Sequence, residues 1–150
     1  IYNNLIKLTR NKNLYKKIAN NDSFSDRLVI FLIHFAFLLK NYKTHNSKNV
    51  LQNIYDFIFK QIELSIREIG YGDASINAKM KKYLNLFHLI LDKVERWDKI
   101  PINKKKDFLS YNLNFHSELD YLIKYIDKYI IYLSNNTLNY FSKDVISLKF

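Results

Sequence analysis

LVIFLIHFAFLL, Leu28 to Leu39, is the strongest apolar run in the chain, and His34 is its only polar side chain. At about a dozen residues it falls short of the roughly 20 that a bilayer span requires, so it reads as a helix of the protein core. Because it is apolar nearly all round, it should be the central helix, with other elements packed around it. Asp22 to Ser25 place cap-type side chains ahead of the run, which predicts a helix over about 26–41.

The remainder of the 150 residues holds two glycines and one proline. A sandwich or barrel needs a turn signal about every ten residues, so this scarcity favours long helices. Residues 1–18 read as one or two short helices broken near Arg10 to Asn13. A third helix is expected from after Ser47 to Ile69, with Leu51, Ile54, Tyr55, Ile58, Ile62, Ser65 and Ile69 as one apolar stripe. Gly70 stands where a helix commonly ends in the left-handed conformation. Asp73 and Ser75 are candidate N-caps for a fourth helix running to about Trp97. KIPINKKK, around Pro101, is a break, and a fifth helix follows to about Phe115. The sixth is expected over Ser117 to Leu133 and the last, short one over Leu138 to Leu148. No stretch alternates with period two. The expected fold is all-α, a single compact domain of about six to seven helices over 1–150, large enough to bury one sizeable core.

Composition excludes several chemistries. With no cysteine there are no disulfides, thiolate metal sites or cysteine nucleophiles. The four histidines, at 34, 45, 88 and 116, are never three or four apart, so no helical metal pair exists. GYGDAS follows a helix and lacks the third glycine of a dinucleotide fingerprint, and no Gly-Lys-Ser/Thr completes a phosphate loop. No catalytic constellation stands out, and neither an enzymatic activity nor a cofactor is expected. The formal net charge of +10 suits an anionic partner. The joint excess of Lys, Asn, Ile and Tyr, however, is what an AT-biased genome writes, which weakens that signal. Two alternative surfaces are RNA-type patches, Lys79, Lys81 and Lys82 with Tyr83 and Lys104 to Lys106 with Phe108. A third is a membrane-facing row of Tyr121, Tyr125, Tyr129 and Tyr132 beside Lys124 and Lys128.

Both glycines lie in IREIGYGD, Ile66 to Asp73. Geometry alone accounts for them: Gly70 stops one helix, Gly72 lets the chain turn tightly and Asp73 starts the next. The longer stretch IREIGYGDASINAKMKKYLNLF, Ile66 to Phe87, resembles the hallmark of the ubiquinol–cytochrome c chaperone family, LREMGVGD followed by a basic helix ending in an aromatic. The positions in register are Arg67, Glu68, Gly70, Gly72, Asp73, Lys79, Lys81, Lys82 and Phe87. LYKKIANNDSFSDRLVIFLIHFAFLLK resembles an earlier family block and would place Asp22, Arg27 and His34. FLSYNLNF resembles a later one and would place Asn112. The resemblance covers about Leu14 to Tyr125. The chain departs from the pattern at FHLILDK, Phe87 to Lys93, where the family carries a glycine and an arginine, and at Tyr71, where a smaller aliphatic residue is usual.

The resemblance implies an assembly factor of the cytochrome bc1 complex that holds nascent cytochrome b until haem and partner subunits are in place. It also implies a small partner protein and work near the ribosomal exit; an anionic membrane surface fits the charge, and DNA is not an expected partner. The expected place is the bacterial cytoplasm, peripheral to the inner membrane, with the mitochondrial matrix as the alternative. The Arg67–Asp73 elbow is expected to fix the angle between two helices, Arg67 pairing with Asp73 or Asp22. Tyr71 and Ile76 are the first candidates for a client surface. His34 is expected to be a hydrogen-bonded core histidine rather than a ligand.

Overall fold

The computed structural model describes residues 1–12, 14, 23–114 and 118–143. Among them are seven α-helices: α1 (Tyr2–Thr9), α2 (Phe24–Tyr42), α3 (Lys48–Glu68), α4 (Asp73–Glu95), α5 (Ile102–Asn112), α6 (Leu119–Asn135) and α7 (Leu138–Lys143). No strand occurs among the described residues, and the fold is all-α as the sequence implies. The proposed break at Asn13, the end of the first helical segment at residue 18, the aspartate at 22 and the boundaries at 115, 117 and 148 lie outside the described residues.

The Leu28–Leu39 run is the centre of the molecule. Its helix, α2, begins two residues earlier than expected because Ser23 caps it, the Ser23 Oγ accepting from the Asp26 N–H at 3.1 Å. From Leu28 to Leu38 every side chain is buried, and α4, α1 and α6 pack around the helix. Phe35 stacks on Phe87 of α4 with ring centroids 5.3 Å apart, and Phe59 of α3 approaches the same ring at 5.3 Å. The buried apolar side chains of α1 to α7 join in one cluster, and the Asn4 amide donates to the Phe141 carbonyl, tying α1 to α7.

Two boundaries differ from the expectation for packing reasons. The fourth helix stops at Glu95, and Trp97–Lys99 form a 3-10 turn that swings Trp97 into the core, edge-on to Phe37 and Phe108. The fifth helix ends at Asn112 because Leu113 turns extended and is buried, while the Asn114 N–H reaches the buried Asp26 carboxylate at 3.0 Å. One backbone contact thereby fastens the end of α5 to the start of α2.

Tyr125 and Tyr129 of α6 are buried against α2, and Tyr121 and Tyr132 are half-buried. This row borders the core and is not a membrane-facing surface. The two charge-and-ring patches are corrected in the same way: Tyr83 is buried, and Phe108 packs on Trp97. Neither ring is presented for stacking on a base.

Candidate functional site: the elbow between α3 and α4

The α3 helix is amphipathic, with Ile58, Phe59, Ile62 and Ile66 buried and its opposite side open to solvent. It ends at Glu68, and the Gly70 N–H returns to the Arg67 carbonyl at 2.9 Å. Gly70 has φ of +101°, a backbone that L side chains rarely adopt. The other glycine is different. Gly72 has φ −72° and ψ 164°, which any residue accepts, and a Cβ built on it would meet nothing within 4 Å. The tight-turn role read for Gly72 is therefore corrected. Gly72 is also the N-cap of α4, which Asp73 and Ser75 are not; Asp73 is the first helical residue.

Asp73 turns back across the elbow. The Arg67 guanidinium donates to Asp73 Oδ1 at 2.6 Å and to Glu63 Oε1 at 3.1 Å. The hydrogen bond to Asp73 raises the Arg67 pKa, and the hydrogen bond from Arg67 holds the Glu63 carboxyl below its ordinary value. The side chain of Asp73 is 88% exposed, so solvent screens this bridge. The bridge orients the elbow; the buried face of α3 against α4 holds it.

Gly70→Val should lower the unfolding free energy by roughly 1–2 kcal/mol, all of it backbone strain, since nothing crowds the new Cβ. Gly72→Ala should stay within about half a kcal/mol of the parent. Urea unfolding of the two variants checks this. Equal destabilisation would refute the distinction between the glycines.

Two apolar residues of the elbow are exposed, Ile69 at 50% and Tyr71 at 41%; Leu64, inside α3, is 41% exposed. Lys79 on the first turns of α4 sets its ammonium 4.5 Å from the centre of the Tyr71 ring, a cation–π contact across the start of the helix. Glu68 is exposed on the same bend, and Lys82 lies 5.9 Å from the Tyr83 ring. Ile76 is buried to 1% exposure and Phe87 completely, so the expectation that Ile76 faces a client is corrected, and Phe87 belongs to the core. Both sit on the side of α4 that packs against the core.

The other motif residues lie apart from the elbow. Arg27 lines a cavity of about 110 Å3 with Tyr2, Phe31 and Ser65, between α1, α2 and α3. Asn112 donates to the Phe108 carbonyl at 2.8 Å within its own helix. His34 is buried between α2 and α6, its Nδ1–H donating to the Ile30 carbonyl at 2.7 Å, so its Nε2 accepts from the Tyr125 hydroxyl. Burial pushes the imidazole pKa down to about 4, and the ring is neutral. Among the described residues no group of acidic and histidine side chains could hold a metal, and no helix is long and apolar enough to cross a membrane.

Sequence reasoning missed Ile69 and Leu64. Ile69 continues the spacing of the buried stripe, but it lies one residue past the end of α3 and swings outward. Leu64 belongs to a second row, Val50, Phe57 and Leu64, seven residues apart and all exposed. That spacing is readable once the row is sought.

A model of the ubiquinol-cytochrome C chaperone family matches residues 16–96, more than half of the chain, spanning α2, α3, the elbow and α4. FLSYNLNF and Asn112 lie beyond the matched residues. No curated protein and no solved structure gives a match.

Proposed function

Since this chain belongs to the ubiquinol–cytochrome c chaperone family, and so to the proteins that assist assembly of the cytochrome bc1 complex, we propose that its client is nascent cytochrome b and that the α3–α4 elbow holds it. The action is binding rather than catalysis, with residues 1–150 working as one helical domain. The observation that carries the elbow reading is the pair of exposed apolar side chains, Ile69 and Tyr71, on the motif that the family resemblance singles out. A client rich in apolar helices offers matching surface. Lys79 contacts the Tyr71 ring, and the Arg67–Asp73 bridge spans the ends of the two helices. The place of action is the face of the inner membrane where cytochrome b is inserted, the chain lying peripheral to the bilayer.

The test is a tagged pull-down from mildly solubilised membranes at low and high salt, read by mass spectrometry. Cytochrome b should be enriched at both salt concentrations, because apolar capture is insensitive to ionic strength, whereas phosphate contacts are not. An Ile69→Ser/Tyr71→Ser variant should lose about tenfold of that enrichment, as removal of a pair of anchoring side chains does. It should unfold within about 1–2 kcal/mol of the parent, because both side chains are about half exposed. An Arg67→Ala/Asp73→Ala variant should lose part of the capture. Ribosomal proteins alone, released by salt, would overturn the reading in favour of an RNA-binding role.

A further inference from the structure

The turn that follows α4 brings apolar and basic side chains to one corner. After the 3-10 turn that buries Trp97, Ile100 packs against the core and the chain swings out through Pro101 to start α5 at Ile102. Pro101 is exposed and Ile102 is 57% exposed, so an aliphatic tip stands in water. Lys99 and Lys104, both exposed, flank it in sequence, and Lys105 rests on the Trp97 ring at 5.1 Å.

The balance of charge at this corner is positive. The carboxylates at the end of α4 are each engaged by a cation: Asp92 by Arg96 at 2.6 Å, Glu95 by Lys43 at 2.7 Å and Asp98 by Lys40 at 3.3 Å. Asp120 takes Lys106 at 2.8 Å. Lys93, Lys99, Lys104 and Lys105 are left without an ion pair among the described residues, against one unpaired carboxylate, Asp107. The elbow, another place where exposed apolar side chains and lysines meet, carries Glu63, Glu68 and Asp73 as well, which offset most of its cations.

We propose that this corner docks the chain on an anionic bilayer surface, Pro101 and Ile102 entering the boundary between head groups and acyl chains while Lys99 and Lys104 meet the lipid phosphates. An aliphatic tip gains by leaving water where apolar matter receives it, and unpaired lysines gain where phosphates do; a bilayer with anionic lipid supplies both. RNA supplies the phosphates alone. Its bases would find no ring at the tip, since Trp97 is buried, Phe108 packs on it, and the exposed Tyr111 lies about 13 Å further along α5. This docking rests on the peripheral placement of the chain proposed above, and it locates the contact away from the tyrosine row of α6. The elbow lies at the other end of the 23-residue α4, about 34 Å away, and stays uncovered.

The test is co-sedimentation of the purified chain with vesicles of phosphatidylcholine carrying about 30 mol% phosphatidylglycerol, against phosphatidylcholine alone, at low and high salt. The chain should partition to the anionic vesicles and lose most of that binding at high salt, where the lysines are screened. Lys99→Gln/Lys104→Gln should lower the partition coefficient about twentyfold at low salt, and Ile102→Ser about fivefold. All three positions are exposed, so circular dichroism of the variants should match the parent. Lys124→Gln/Lys128→Gln makes the same change of net charge on exposed lysines of α6 and should lose no more than about threefold. Binding to both vesicles alike, to neither, or lost as far in the α6 variant as in the corner variant would overturn the docking corner. So would a poly-uridine oligonucleotide held through Lys99 and Lys104 when the vesicles are not, which would make the corner an RNA contact. Vesicle binding without capture of cytochrome b would sink the proposed client and leave the corner. Capture of cytochrome b by a chain that ignores the vesicles would sink the corner and leave the elbow.

Discussion

Phe87→Ala should be the most damaging single truncation in the family motif, lowering the unfolding free energy by about 3–5 kcal/mol. The ring has no solvent exposure and meets three others: Phe35, stacked with an interplanar angle of 8°, Phe59, and Tyr55 at a centroid distance of 5.9 Å. Deleting it removes the common partner of α2, α3 and α4 and leaves a void that rigid helices close only in part. Domains of this size have about 5–15 kcal/mol of stability in all, so the variant should be marginal at growth temperature. Tyr71→Ala, on the same motif but 41% exposed, should cost less than about 1 kcal/mol. Urea unfolding followed by circular dichroism separates the two. A Phe87→Ala protein as stable as the parent would refute the core assignment of that aromatic and return it to the client surface.

The second large effect is a dependence on pH. His34 is neutral in the folded protein with its pKa lowered from 6.5 to about 4, burial being the cause. In the unfolded chain the imidazole takes up a proton near its ordinary value, so between those limits the unfolded state binds more protons than the folded one. Stability therefore falls as pH drops from about 6.5 towards 4, by about 3 kcal/mol in total. Glu63, held below its ordinary carboxyl value by Arg67, adds a loss of the same sign only below that ordinary value. The comparison is with His34→Gln, which has no titrating group at that position. Unfolding free energies of the two proteins, measured in steps from pH 7.5 to pH 4, should diverge across this window by roughly that amount. Parallel curves would show that the imidazole is not a buried neutral ring bonded to Ile30 and Tyr125.

The helices were legible because their signals are local. The Leu28–Leu39 run needs no partner to be read as buried, and Ser47 before α3 and Gly70 after it mark the two ends by their own chemistry. What was not legible depends on how faces meet. Tyr83, Tyr125 and Tyr129 stand among lysines in sequence, and only the packing of α4 and α6 on α2 turns these rings inward while the lysines between them stay wet. Ile76 and Ile69 flank the elbow almost symmetrically. A helix carries the first to the core, and a turn carries the second out. The asparagines around the cavity where α2 and α6 end lie near 41–46 and 135–139, some ninety residues apart, and nothing in either segment announces the other. Asp26 is the same kind of case: its carboxylate is explained only by the Asn114 N–H that it meets.

Trp97, swung inward by the 3-10 turn, has a spectroscopic consequence. It is the only tryptophan of the chain, 1% exposed, edge-on to two phenylalanines and with the Lys105 ammonium 5.1 Å from the centre of its ring. Its emission, excited at the red edge where the twelve tyrosines are silent, arises from one known environment. Next to it in sequence is Asp98, and against its ring lies Phe37, both of which line the cavity where α2 and α6 end. The chain therefore carries an intrinsic chromophore at the boundary between its core and that cavity, able to register unfolding without a label.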